Sequence, residues 1–142
     1  MNFIEKALSE KLTGDDFLQA MADIYKEPDV RDILSRYPGF ISDVIMIIDY
    51  DTAVASDGLD DIIRDVNDAE KCLNMINALE RCGLNNEAQV IREAKSLADK
   101  DEDEYWDSYD DFDGRLAINN DYDAFWDKVR AYIDSNLRTI HQ

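Results

Sequence analysis

The chain has 142 residues, 45% of them hydrophobic and 34% charged, with only five Gly and two Pro; this is the balance of one folded helical domain over residues 1–142 and excludes a disordered acidic tail. Its 33 acidic residues against 15 basic ones give a formal net charge of -18, divided as 17 acids and 7 bases over residues 1–71 and 16 acids and 8 bases over 72–142. Such a field repels nucleic acid and anionic membranes and attracts basic protein surfaces and cations, although solubility alone explains it equally well.

Helical spacing dominates the N-terminal half. Phe3, Ile4, Ala7 and Leu8 place an apolar stripe on a first short helix. Thr13 is positioned to cap a second, with Asp15 and Asp16 in its first turn and Phe17, Met21, Ile24 and Tyr25 facing inward. Pro28 fits the first position of a third helix through about Arg36, and Pro38-Gly39 breaks the chain. Phe40 to about Ala55 is the most apolar segment. Its Ile-rich stretch admits a strand, but the lack of alternation favours a helix apolar on all sides, which belongs at the centre of a domain. Ser56-Asp57-Gly58 ends it, and Asp57 can cap the turn into Leu59, Ile62 and Ile63.

In the second half, Asp68 starts a helix carrying Cys72, Leu73, Met75, Ile76 and Leu79, and Gly83 stops it. Asn85 or Asn86 caps the next, whose apolar set is Ala88, Val90, Ile91, Ala94 and Leu97. So short a connection makes the two an antiparallel hairpin. A last helix starts near Asp121 and carries Phe125, Trp126, Val129, Tyr132 and Ile133. The expected fold is all-α, a compact bundle of about six to eight helices. No apolar run reaches the roughly 18 residues of a membrane span, and no signal-peptide core is present, so a cytoplasmic location is the default expectation. Cys72 and Cys82, ten positions apart on one helix, would be separated by about 15 Å, too far for a disulfide.

Catalytic chemistry has little to build on. The one histidine, His141, stands next to the C-terminus, and no Gly-rich phosphate loop occurs. An EF-hand register fails at Gly114, with Tyr109 first and Asn120 last, and at Gly58, with Ala53 first. Asp57, Asp60, Asp61 and Asp65 have nearly the spacing of a helix-borne magnesium site, but equally that of an N-cap and a solvated face. No enzyme activity, cofactor or metal is expected.

Between the hairpin and the last helix lie Asp101, Glu102, Asp103, Glu104, Tyr105, Trp106, Asp107, Ser108, Tyr109, Asp110, Asp111, Phe112 and Asp113, with eight acids and no base. If this stretch is helical, Asp103, Asp107 and Asp111 form an i, i+4 column whose carboxylates recur about every 5.4 Å, against about 3.4 Å of axis per phosphate in one duplex strand. The candidate partner-binding residues are therefore Asp101, Glu102, Asp103, Glu104, Asp107, Tyr109, Asp110, Asp111 and Asp113. Burial is expected for Trp106 and is left open for Tyr105 and Tyr109.

Tyr50-Asp51-Thr52-Ala53-Val54-Ala55-Ser56-Asp57-Gly58-Leu59-Asp60-Asp61-Ile62-Ile63 resembles the pattern D-x-E-V-x-N-G-G-F-x-Q-F-F of the DNA mimic protein 19-like family. Ala78-Leu79-Glu80-Arg81-Cys82-Gly83-Leu84, with Ala88, Ile91 and Ala94, is similar to the family's A-L-x-x-I-G-A and A-x-x-I-L-x-x-A, and Tyr109-Asp110-Asp111-Phe112 and Ala131-Tyr132-Ile133 follow in order. The resemblance covers about residues 40–137. Ser56-Asp57 replaces Asn-Gly, and Ile62-Ile63 replaces the paired aromatics. It implies an all-α fold and, from one dimeric member that occupies the DNA-binding surface of a transcription factor, a DNA mimic able to form a homodimer.

The leading expectation is thus an acidic protein-interaction module that meets a basic protein surface, such as that of a DNA-binding protein, with no direct nucleic-acid or membrane binding. The alternatives are an immunity protein that neutralises a basic toxin and a divalent-metal-dependent helical enzyme.

Overall fold

The segments with helical spacing fold as helices, and none of the described residues lies in a strand. The computed structural model describes residues 1–141. In chain order they form α1 (Phe3–Ser9), α2 (Gly14–Met21), two 3₁₀ segments (Ala22–Tyr25 and Pro28–Arg36), α3 (Gly39–Ser56), α4 (Asp60–Ile63), α5 (Lys71–Arg81), α6 (Asn85–Lys100), α7 (Glu102–Gly114), α8 (Ala117–Asn120) and α9 (Tyr122–Ile140). The expected all-α bundle is present, with short α4 and α8 added as connectors.

The Ile-rich segment is the helix α3 and the centre of the core. Phe40, Ile41, Val44, Ile45, Ile47, Ile48 and Tyr50 are all buried, because α2, α4, α5, α9 and the second 3₁₀ segment surround it. Encirclement explains the absence of a single apolar stripe. Each such aliphatic side chain contributes up to about 1.5–3 kcal/mol on burial. The α5–α6 hairpin forms as expected. Gly83 takes φ +79, where the Gly83 N–H donates to the Glu80 carbonyl at 3.0 Å and the Leu84 N–H to Leu79 at 2.9 Å. That pair of bonds closes α5 and requires the left-handed residue.

Two buried acids join elements distant in sequence. Asp43 on α3, 6% exposed, accepts two bonds from Arg81 Nε, one from Arg81 Nη2 at 2.8 Å and one from the Tyr132 hydroxyl at 2.6 Å. It therefore ties α3 to α5 and α9. Glu87 on α6, 0% exposed, accepts from the Tyr50 hydroxyl at 2.7 Å, from the Ala117 N–H and from the Asn86 amide. It ties α3 and the start of α8 to α6.

Several local expectations are corrected. Thr13 stands at the start of α2 without a side-chain capping bond; Asp134, 120 positions later, accepts the Gly14 N–H at 2.7 Å instead. Residues 22–25 and 28–36 tighten to 3₁₀ geometry, which shifts the phase of the side chains. Tyr25 is consequently 49% exposed and donates to Asp49 at 2.6 Å, with Thr52 Oγ1 3.2 Å away, rather than filling the core. Asp68 does not start α5, because the side chains of Asp65 and Asp68 accept the N–H groups of Asn67 and Glu70 and close local turns that compete with the helix. Leu73 is exposed, since Cys72, Met75, Ile76 and Leu79 define the inward face. Neither Asn85 nor Asn86 caps α6. Leu84 occupies that position with its side chain in the core, and Asn86 donates to the Arg115 carbonyl.

Cys72 and Cys82 are free and buried. No described helix is long and apolar enough to cross a membrane.

Candidate functional site

The acidic stretch is the helix α7. Asp101 precedes it in extended conformation and its carboxylate accepts the Glu104 N–H at 3.1 Å, while Glu102, Asp103 and Glu104 in the first turn suit the positive end of the helix dipole. Tyr105 and Phe112, seven residues apart, are buried, and α7 packs mainly on α6.

Trp106 is the correction here. It is 45% exposed, and Tyr105, at 0%, takes the buried position. The phase of the helix decides this: Tyr105 and Phe112 lie within about 20° of each other at 100° per residue, and Trp106 projects to their side. The Trp106 ring covers Arg64 from α4's end, whose guanidinium carbon lies 4.9 Å from the indole centroid and 5.2 Å from that of Tyr105. Arg64 Nε donates to Asp60 and Nη1 to Glu102, both at 2.9 Å. These bonds, that to Asp60 first, hold the guanidinium above its ordinary value, and Arg64 in turn holds the Glu102 carboxyl below the usual range. The Tyr105 hydroxyl donates to Asp60 at 2.5 Å; burial, then this contact, push it above the ordinary phenol value.

Tyr109 is half-buried, and its hydroxyl accepts the Asp60 N–H at 2.9 Å, so it supplies the start of α4 with the acceptor expected from Asp57. Gly58, at φ +84, passes so close that a Cβ there would sit 3.0 Å from the Tyr109 oxygen.

The nine candidate residues therefore divide. Asp101 caps the helix, Glu102 is paired with Arg64, Tyr109 holds α4, and Asp113 is half-buried on the flank. Asp103, Glu104, Asp107, Asp110 and Asp111 remain, all exposed. At 100° per residue these five fall within an arc of about 120°, over about 12 Å of axis. Four have no side-chain hydrogen bond or ion pair among the described residues, and Asp111 has one contact, 3.9 Å from Arg115 Nη1. Arg115 is bound more closely to Glu93.

This arrangement costs the helix stability. Asp103–Asp107 and Asp107–Asp111 at i, i+4, and Glu104–Asp107 and Asp107–Asp110 at i, i+3, are like-charge neighbours, each worth about 0.2–0.5 kcal/mol of repulsion. The last turn of α7 contains no basic residue, so Asp110 and Asp111 also oppose the negative end of the dipole. Nothing in the packing of α7 requires these charges.

Of the other acids considered from the sequence, Asp57, Asp60, Asp61 and Asp65, the last three have internal partners. Asp60 is held by Arg64 and Tyr105, and Asp61 and Asp65 both accept from Lys71 Nζ, at 3.0 and 3.1 Å. Among the described residues no group of three or more His, Cys, Asp or Glu side chains is placed to hold a metal ion. His141 lies exposed at the end of α9. The sequence pattern did not reveal Arg64 as a partner of α7; its signal was the Arg–Asp spacing of Asp60 and Arg64 at i, i+4.

The family model described as DMP19-like protein matches residues 35–136, most of the chain and close to the span expected from the motifs. No curated protein and no solved structure gives a significant match.

Proposed function

The chain belongs to the DMP19-like family, and from that premise we propose that it is an acidic protein-interaction module whose helix α7 meets the DNA-binding surface of a basic protein. The observation that carries the reading is the exposed arc of Asp103, Glu104, Asp107, Asp110 and Asp111, which lacks close internal cations, repels itself and, at Asp110 and Asp111, opposes the dipole of its own helix. A basic surface relieves both the mutual repulsion and the unfavourable dipole, so the same charges that cost the free protein stability strengthen the complex. The family's association with DNA mimicry supports the same direction, and the net charge of -18 adds long-range attraction to a cationic partner.

The carboxylates need not copy a phosphate track atom for atom. A turn repeat of about 5.4 Å against about 3.4 Å per phosphate lets side-chain flexibility take up the difference over the two turns that the arc spans. Trp106, exposed beside the arc, gives the interface an aromatic edge of the kind that anchors protein contacts. The test is affinity capture from native lysate at low and high salt, with duplex DNA as competitor. A captured DNA-binding protein released by both salt and DNA supports the reading. Retention indifferent to DNA contradicts it.

A further inference from the structure

A cleft of about 240 Å³ opens between α2, α3 and α9, and none of its lining residues belongs to α7. Its walls include Gln19, Ile48, Asp51, Tyr122, Trp126 and Arg130. Tyr122 is 51% exposed while Trp126 behind it is buried, the two rings meeting edge to face at 6.2 Å. The Tyr122 hydroxyl donates to Asp51 at 3.0 Å.

That Tyr–Asp pair is one of four among the described residues, and the other three show what it lacks. Tyr25 donates to Asp49, Tyr105 to Asp60 and Tyr132 to Asp43. In each of these the carboxylate also binds an arginine of this chain: Arg31 on Asp49, Arg64 on Asp60 and Arg81 on Asp43. In two the guanidinium also lies over the tyrosine ring, Arg31 5.8 Å from the Tyr25 centroid and Arg64 5.2 Å from that of Tyr105. Asp51 has no arginine among the described residues. Arg130 lines the same cleft but is engaged elsewhere, with Nε on Asp15 at 3.1 Å and Nη1 on Asp127 at 2.8 Å. Arg130 is thus neutralised by Asp15 and Asp127, and Asp51 is left as the lining carboxylate with no basic partner among the described residues.

We propose that the Asp51–Tyr122 cleft receives an arginine side chain from the protein partner, completing in trans the Tyr–Asp–Arg arrangement that the chain forms three times in cis. The planar guanidinium hydrogen-bonds Asp51 and stacks on the exposed face of Tyr122, while the aliphatic stem lies against Ile48. Lysine fits less well, because a compact ammonium gains less from the ring and cannot form a two-point bond with the carboxylate. The inference rests on the partner being a basic protein, but not on α7 being the other contact.

The test uses the whole chain labelled with ¹⁵N in its two tryptophan indoles, the Trp106→Phe variant assigning the signals. N-acetyl-arginine amide is the probe, and N-acetyl-norleucine amide and N-acetyl-glutamate amide are the controls. The expected result is a saturable shift of the Trp126 signal with the arginine probe alone. Asp51→Asn weakens it about fivefold and Tyr122→Leu comparably, whereas Tyr122→Phe, which keeps the ring, retains most of the affinity. Dispersed indole signals and an unchanged urea midpoint report that each variant is folded. The proposal is overturned by an unmoved Trp126 signal, by an equal response to norleucine, by a response to glutamate in place of arginine, or by full affinity in Asp51→Asn. Its failure is separable from failure of the α7 reading, because the indole titration reports on the cleft alone and partner capture by an α7 variant reports on the arc.

Discussion

Replacing Glu87 by alanine should cost this protein more than any surface change on α7, because the carboxylate is a buried junction that makes no ion pair among the described residues. Three donors converge on it: the Tyr50 hydroxyl, the Ala117 N–H and the Asn86 amide. Burial, then the charge of Glu87, push the Tyr50 hydroxyl above its ordinary value, so it remains a donor throughout the working pH range. In Glu87→Ala the Tyr50 hydroxyl and the Ala117 N–H lose their acceptor together, at about 1–3 kcal/mol for each buried orphan. A neighbouring cavity of about 100 Å³, lined by Leu84, Ala117, Phe125 and Lys128 among others, gives water a route to one of them and lowers the sum. The expected loss is about 2–4 kcal/mol. Glu87→Gln should lose only about 1 kcal/mol, because the tyrosine hydroxyl can rotate to accept from the new amide. Tyr50→Phe should couple to Glu87→Ala by at least about 1 kcal/mol in a double-mutant cycle. Urea unfolding read by circular dichroism measures all three differences from the midpoint shifts. A Glu87→Ala midpoint within about 0.5 kcal/mol of wild type, at unchanged slope, would refute the reasoning.

Three further outcomes follow from single contacts. Gly58→Ala forces a Cβ into a left-handed residue and to 3.0 Å from the Tyr109 oxygen; it should lose about 1–3 kcal/mol, and an unchanged melting temperature would contradict this. Arg81→Met leaves the buried Asp43 with Tyr132 alone, yet Arg81 is half exposed, so the expected loss is about 1–2 kcal/mol in urea unfolding. Burial pushes the Cys72 and Cys82 thiols from the ordinary 9.0 up to about 11 and about 12. The unfolded chain therefore ionises these groups first. Their contribution to stability is complete below about pH 9 and falls as pH rises towards 11–12. The urea midpoint should decline over that window, and a midpoint that rises there would show the sign to be wrong.

Much of this fold was legible because its signals are local. The Phe40–Ala55 segment, the Gly83 stop and the inward faces of α6, α9 and, Leu73 apart, α5 follow from spacing that the chain carries within one helix. Two capping expectations differ because a partner arrives from far along the sequence, whereas Tyr25, Asp68 and Leu73 differ through local geometry. Asp134 accepts the Gly14 N–H over 120 residues, and Tyr109 accepts that of Asp60 over 49. Both take a capping role that composition had assigned to the nearest polar residue. The burial expected for Trp106 falls to Tyr105 instead, because the phase set by Tyr105 and Phe112 turns Trp106 outward. On α7 the sequence showed a dense run of acids but not their division. Glu102 and Asp113 leave the exposed arc because Arg64 reaches one and the helix flank shelters the other. The Asp51–Tyr122 cleft joins α3 to α9 across 71 positions, and no spacing rule connects them.

The central claim is that the α7 arc is the contact surface, and one comparison tests it most directly. The wild type and the Asp103→Asn/Glu104→Gln/Asp107→Asn/Asp110→Asn/Asp111→Asn variant are used side by side to capture the partner at low salt, with and without duplex DNA. Relief of the like-charge pairs and of the dipole conflict at Asp110 and Asp111 offsets the first-turn dipole contribution lost with Asp103 and Glu104, so the variant should unfold in urea within about 1 kcal/mol of wild type. The account predicts that the wild type retains a DNA-binding protein that DNA displaces, and that the folded variant retains none of it. Equal retention by the two proteins would contradict the account and place the contact elsewhere on the molecule.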